Sequence, residues 1–581
     1  MLRIHTSKVE PGSLIPLFSR VNDLLSLNVE VRRAMKSTRG KGEGNTSAGD
    51  FLVEEGSVPG ASNLTKRFAD EVGVKVTRMA SHDPNTAPRL RTPVVGLYSG
   101  YGTSPRSLIE LHDILEETGF NLISFMDSQD LEEALSRVDV LIMPGGDSTE
   151  IALSLGPDNA RSIRKFVEAG GTYLGICAGS FLAVSFAQGS FGPNHQSFSA
   201  VQQVLGNVNA RLLNDVAESP GTPMWSYENF GNVLRVYPYE GDVEFRAKKR
   251  SDPIALGLPS KFILRMAGPV FKVKDSADVV AVSVGPVPTT TYGVKPKDAH
   301  PLFMQFDAIV RKKVGSGFYV LSSPHIESRD HPEGPVLLAN SLLSAVSGTV
   351  SLSVSTGSQA LDAKQTSLLM ASMVDQSDEL SRSLLRLSAY LAVLVPLVHG
   401  AGQVRHWSKI AELDHSMSYL SEKSQDVTRM TVELILEQEY LDKLLASVSK
   451  VIAGTKVVNM EAQHLIPLLS RVDQERNSMI ATAGRALPAL AMVSLKLEKE
   501  AAELISKLTK GDDLDVLKET AMLVQKIAGD RAHYVPWYDG REGLASDEPP
   551  THGILSPLMG VHAKMKRVRS ISRAVRLLST S

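Results

Sequence analysis

The stretch Thr172-Tyr173-Leu174-Gly175-Ile176-Cys177-Ala178-Gly179-Ser180-Phe181 constrains the fold of this chain more than any other. Gly170-Gly171 makes a turn, an apolar strand follows, and Phe181-Leu182-Ala183-Val184 can start a helix. Strand, Gly-x-Cys-x-Gly, helix is the pattern of a nucleophile elbow with sulfur in place of a serine oxygen. Small residues on either side of Cys177 let the backbone turn sharply without a Cβ clash. The turn would hold the thiol at the N-terminus of the next helix, where the dipole favours thiolate. Cys177 is the only cysteine in 581 residues. The plainer reading is a buried small residue in a tight strand-to-helix turn, so the neighbouring segments decide between the two.

Those neighbours alternate. From Pro93 the chain reads as strand Val94–Tyr98, Gly-rich loop Ser99–Pro105, helix Ser107–Thr118 closed by Gly119, and strand Asn121–Phe125. Helix Asp130–Ser136, strand Val138–Met143, loop Pro144–Thr149 and helix Asn159–Ala169 lead to the cysteine strand. Strands separated by helical stretches predict a parallel sheet covered on both faces. Sites in such sheets form in the loops at the carboxyl ends of strands. The Ser99–Ser104 loop, the Pro144–Thr149 loop and the Cys177 turn all fall there. Residues 190–310 are less regular, with short strands expected at Asn232–Tyr237, Val243–Phe245, Lys261–Met266, Val270–Val273 and Val279–Val284. Lys313–Leu321 reads as a hairpin feeding a core strand, and Pro335–Ser347 as the last helix of this domain.

The flanks differ. A chain this long should hold more than one domain, because single cores stop growing near about 250–300 residues. Residues 1–90 read as an N-terminal extension, partly flexible, since Lys36–Asn63 has no apolar period. Residues 91–348 form the α/β domain. Residues 349–545 read as a helical region, in Leu361–Val398, Met417–Ala453, Glu461–Leu508 and Asp513–Ala528, with Pro396, Pro467 and Pro488 expected to kink or break the helices. Residues 546–581 form a basic tail with Lys564, Lys566, Arg567, Arg569, Arg573 and Arg576 and no acid after His562. The net charge of −2 gives no global reason to expect nucleic-acid binding. One cysteine suits a reducing, intracellular compartment. The cytoplasm is the first reading, and the basic residues among the first forty leave mitochondrial or plastid import open. The longest apolar run, Ala389–Val398, is too short to span a bilayer, so no transmembrane segment is expected. His406, His415 and His464 show no metal-ligand spacing, and neither a metal nor a cofactor is expected.

A thiol nucleophile needs a base, and the base needs an orienting group. Gly317-Phe318-Tyr319-Val320-Leu321-Ser322-Ser323-Pro324-His325-Ile326-Glu327 supplies both at the end of a later strand. The order Cys, then His-x-Glu, resembles class I glutamine amidotransferases. A closer resemblance, along residues 93–345, is to the biotin-protein ligase N-terminal domain family, a branch of the amidotransferase-like fold. It is carried by Tyr98–Pro105, Met143-Pro144-Gly145-Gly146-Asp147, Tyr173–Gly179, Met266-Ala267-Gly268-Pro269-Val270-Phe271 and Gly317–Glu327. The resemblance implies a flavodoxin-like parallel sheet joined to a C-terminal all-α region. Class I glutaminases usually carry Gln four residues after the nucleophile, where this chain has Phe181. The chain also lacks the Gly-Arg-Gly-Arg loop of the ligase's catalytic domain, so it should not biotinylate by itself.

The expected roles follow from chemistry. Cys177 attacks a carbonyl or amide, His325 moves its proton and Glu327 fixes the imidazole tautomer. Backbone N–H groups of Ala178 and of Gly145 or Gly146 hold the oxyanion. Gly102, Thr103, Asp147 and Ser180 are the candidate substrate contacts. The reading is a thiol amidohydrolase acting on a small amide or carbonyl substrate. The alternative is a catalytically silent scaffold whose helical region binds a protein partner and whose basic tail contacts acidic protein, RNA or lipid.

Overall fold

The computed structural model describes residues 1–38, 45–185, 196–213, 241–287, 303–346, 363–400, 418–434, 460–508, 519, 523 and 555–579, except positions 8, 59, 81, 84, 101, 121, 122, 127–130, 147, 276, 277 and 421. The expected strand Asn232–Tyr237, and all but two residues of the expected helix Asp513–Ala528, lie outside them.

The central sheet has nine strands, in the spatial order Lys261–Met266, Gly241–Ala247, Val279–Pro286, Asp307–Val314, Gly317–Ser322, Thr172–Ile176, Val140–Met143, Val95–Tyr98, Ile123–Met126. From Gly317–Ser322 onward neighbours run parallel, as the alternating pattern predicts. The four strands before it extend the sheet antiparallel, beginning with the hairpin expected at Lys313–Leu321, so the sheet as a whole is mixed. The cause is local. Asp307–Val314 and Gly317–Ser322 are joined by Gly315-Ser316, with Gly315 at φ 59°. A two-residue loop can only reverse the chain, whereas a parallel neighbour needs a crossover of a dozen residues or more.

Period-two alternation sorts the strand side chains onto two faces. Val95, Leu97, Val140, Ile142, Leu174 and Ile176 join one buried apolar cluster. Tyr98, Leu141, Met143, Tyr173, Tyr319 and Leu321 join the other. Helices cover both faces: Pro105–Glu117, Ser148–Glu168 (broken at Gly156, φ 67°) and Glu333–Ala345. Ser104 caps the first of these through its Oγ, Pro105 occupies the first turn, and Gly119 ends it at φ 78°.

Residues 1–90, expected as a partly flexible extension, are folded wherever they are described. Strands Val31–Arg33, Phe51–Val53, Leu2–Ile4 and Val76–Arg78 lie side by side in that order, all antiparallel, with helices Pro11–Ser26 and Ala61–Glu71. This is the split βαβ arrangement of ferredoxin-like modules. Strands of three residues carry too few alternations to be read from a sequence, and their stability comes from the helix and strand packed beside them. Leu2, Ile4, Phe18, Val21, Val31 and Phe51 are buried in the same cluster as the first face of the central sheet. Arg33 is buried too. Its guanidinium bonds Asn340 Oδ1 at 2.7 Å and lies 5.2 Å from the Phe51 ring centre.

The C-terminal region is helical where described: Ala363–Gly400, residues 418–420 and 422–434, Met460–Leu508 and Leu555–Ser579. Of the kinks or breaks expected at the prolines, no break occurs: the first of these helices runs through Pro396 and the third through Pro467 and Pro488. Leu380, Leu384, Leu387, Leu391 and Leu394 make a buried stripe at helical spacing. The two long helices pack together, and Arg386 pairs with Glu498 across them at 2.6 Å. Gln474–Lys507, whose apolar stretches are interrupted in sequence, is nonetheless long and apolar enough to cross a membrane by length and composition; 39% of its most apolar window is buried in this fold.

The basic tail is a packed helix. Leu558, Met559, Val561, Met565, Val568 and Ile571 are buried. Three of its cations meet the chain's own acids: Arg567 pairs with Glu475 at 2.5 Å, Arg569 with Glu433 at 2.8 Å and Lys566 with Glu116 at 3.8 Å.

Candidate active site

Three segments converge at the carboxyl ends of the parallel strands. The strand Thr172–Ile176 delivers Cys177, which takes φ 50° and ψ −110° before the short helix Ala178–Leu182. A positive φ is costly for any residue with a Cβ, and it persists here because the surroundings over-determine it. Cys177 N–H donates to Ser322 O at 2.9 Å and Gly179 N–H to Pro144 O at 3.2 Å. A side chain on Gly179 would collide with the backbone of Met143, which is why the position after Ala178 is glycine. The strand Gly317–Ser322 delivers the other two residues. His325 Nδ1 lies 2.8 Å from Glu327 Oε1.

The His325 ring and Cys177 face each other across Gly145. A Cβ at that position would lie 3.1 Å from His325 Cε1 and 3.5 Å from Cys177 Cβ. Cys177 retains 9% of its surface exposed, and its Sγ lies 3.6 Å from Ala267 O. Burial works to neutralise His325, but the Glu327 carboxylate and then Cys177 outweigh it and hold the imidazole well above its ordinary range. Burial likewise opposes the charge on Glu327. His325 and the Ser107 hydroxyl overcome it and hold the carboxyl below its usual range. The buried pair is therefore imidazolium and carboxylate.

The other expected site residues divide. Ala178 opens the helix after the nucleophile, and Gly146 (φ 148°) sits beside Gly102 (φ 89°) where the two loops touch. Gly145 does not keep its N–H for an oxyanion: it donates to Ser107 Oγ at 3.1 Å. Ser180 is buried with its Oγ donating back to Cys177 O at 2.7 Å, so it braces the turn instead of meeting substrate. Thr103 is likewise turned inward, its Oγ1 donating to Gly100 O at 2.8 Å. Short hydroxyl side chains find a backbone carbonyl three residues away more cheaply than a distant ligand. Asp147 lies outside the described residues.

Two contributors were not assigned a role from sequence. Ser107 Oγ donates to Glu327 Oε1 at 2.7 Å while accepting from Gly145, and so links acid and loop. A serine one turn into a helix carries no signal of this. The other is Ala267-Gly268. Arg265 O accepts from His325 N at 2.9 Å, so the far edge of the antiparallel half comes round to the site. A Cβ on Gly268 would run into Ser323 O and lie 3.4 Å from Cys177 Cα. That glycine is quoted in the sequence motif, but its reason is a contact between segments distant in the chain.

A cysteine elbow, a His-x-Glu loop and a five-stranded parallel half-sheet define an amidotransferase-like α/β domain. Comparison with known proteins bears this out. Residues 94–222 match the family model "Biotin-protein ligase, N terminal". A curated relative, pyridoxal 5'-phosphate synthase subunit PdxT of Nitrosopumilus maritimus, is 34% identical over 90 residues, 12% of this chain and 44% of that protein. The chain thus spans less than half the length of the relative it matches. Among solved structures, the acivicin-bound glutaminase domain of Trypanosoma brucei CTPS matches at 13% identity, covering 44% of this chain and 95% of that one, TM-score 0.28. A ThuA-like protein of Bacteroides uniformis matches at 13% identity, 44% and 91% coverage, TM-score 0.26.

Proposed function

We propose that the domain is a cysteine-dependent amidohydrolase acting on a small amide or carbonyl compound. The observation that carries it is the pairing of a Cys177 held at positive φ with a His325 ring already charged by Glu327. Cys177 Sγ attacks the carbonyl carbon as a thiolate paired with the His325 imidazolium. His325 then gives its proton to the departing amine, and the ring, now neutral, takes a proton from the water that releases the acyl group, which restores the pair. The N–H groups of Ala178 and Gly146 are suited to hold the oxyanion. Phe181, where glutaminases of class I usually carry Gln, argues against free glutamine as the substrate. A small thiol alkylator at neutral pH tests the reading, with adducts counted by mass spectrometry. Cys177 should react faster than a free thiol does at that pH, and His325→Ala should slow it. A thiol that stays unmodified in the folded protein would instead support a silent scaffold.

A further inference from the structure

The second concentration of chemistry lies away from Cys177, where the α/β domain meets the C-terminal helices. His112 and Glu116 stand one turn apart on helix Pro105–Glu117 and so share a face. His562 reaches them from the tail helix Leu555–Ser579. One donor atom from each of the three lies within 4.8 Å of the others. Both histidines are fully buried and the Glu116 side chain is 10% exposed.

The surrounding bonds fix where the lone pairs point. Tyr419 Oη donates to Asp113 Oδ1 at 3.0 Å and lies 2.7 Å from His112 Nδ1. A phenol has one proton and a carboxylate only accepts, so His112 Nδ1 must be the donor in the second bond. Its Nε2 then carries the lone pair, and Nε2 faces Glu116 Oε1 at 3.7 Å. Burial lowers the affinity of this ring for a second proton. On the far side, His562 Nδ1 is 2.7 Å from the same Oε1, yet neither of its ring nitrogens has hydrogen-bond alignment with a partner. His562 Nε2 faces Asp426 Oδ2 at 3.6 Å. Each imidazole thus has its outer nitrogen toward an orienting oxygen and its inner nitrogen toward Glu116, the usual arrangement around a bound metal. Glu116 Oε2 is turned to Lys423 at 3.7 Å and Lys566 at 3.8 Å, which leaves Oε1 for the centre. Glu116, Asp113 and Asp426 outnumber those two lysines, while Arg329 and Arg429 reach the carboxylates only from the exposed rim.

We propose that His112 Nε2, Glu116 Oε1 and His562 Nδ1 bind one divalent transition-metal ion of the zinc class. Two imidazoles and a carboxylate suit that class, and three protein ligands leave a fourth position for water. The ion fastens the tail helix to the α/β domain. This site is independent of the Cys177 reaction.

The test uses the full chain, stripped with chelator, desalted and loaded with Zn²⁺ or, as a spectroscopic probe, Co²⁺. The expected result is one retained equivalent of metal per chain and visible Co²⁺ d–d absorption. His562→Gln and Glu116→Gln should each weaken retention more than about tenfold, as loss of one of three ligands requires. Melting of the wild-type chain should rise with added Zn²⁺, a readout that stands even if a variant fails to fold. Retention well below one equivalent, no melting shift, or Co²⁺ spectra with thiolate charge-transfer bands pointing to Cys177 would each overturn the proposal. So would unchanged retention in His562→Gln. A protonated His562 bridging Glu116 and Asp426 without metal would give the first two of those results.

Discussion

At the residue scale the site rests on a few close approaches. Gly145 lies beside both the His325 ring and Cys177, and an alanine there inserts a methyl 3.1 Å from the ring. Gly145→Ala should therefore slow alkylation of Cys177 by roughly 10–100-fold while circular dichroism stays unchanged, because small misplacements at a reacting pair cost about that much. Glu327 works at a distance. In Glu327→Gln the imidazole loses the charge that holds it up, burial prevails, and less His325 is cationic at neutral pH. Alkylation of Cys177 at neutral pH should therefore be slower in Glu327→Gln than in the wild type. The stability effect has a window. The raised His325 pKa contributes fully below its unfolded value of 6.5 and is lost as pH rises through the folded value. The lowered Glu327 pKa contributes fully above its unfolded value of 4.5 and is lost as pH falls through the folded value. The melting difference between wild type and Glu327→Gln should be largest between those two pH values, and a flat difference would refute the ion pair.

At the scale of elements, the first ninety residues behave as part of the domain. Removing residues 1–35 takes two of the four strands, Leu2–Ile4 and Val31–Arg33, from the small sheet and Leu2, Ile4, Phe18 and Val21 from the shared core. It also removes Arg33 from Asn340, whose amide nitrogen bonds Ile254 O and Leu256 O at 3.1 and 2.7 Å. At about 1.5–3 kcal/mol for each buried large apolar side chain, the truncated chain should be insoluble or molten. Soluble expression and the sharpness of thermal unfolding measure this. An unchanged melting curve would restore the view of a dispensable extension.

At the scale of the molecule, the tail closes the structure. With Met565, Val568 and Ile571 buried and Arg567 paired to Glu475, deleting residues 562–581 should lower the melting temperature by several degrees. Limited proteolysis tests the same point: in the intact protein, cuts within the described part of the tail helix should be slow. The linkage runs through Glu116, on a helix whose other end carries Ser107, bonded to Glu327.

What the sequence by itself determined is local: the strand-to-helix turn at Cys177, the apolar alternation of Val140–Met143 and Thr172–Ile176, and the His-x-Glu spacing after a core strand. Each needs only a handful of neighbouring residues, so a short window contains its cause. The helical stripes of the C-terminal half were legible for the same reason. Only the tertiary structure decided that Ser107 steadies Glu327 and that Gly268 is small because Ser323 O is near. It alone brought the Arg265 edge of the sheet to His325 and put His562 beside His112. These depend on contacts between residues far apart in the chain, and nothing in the residues nearby records which distant segment will arrive.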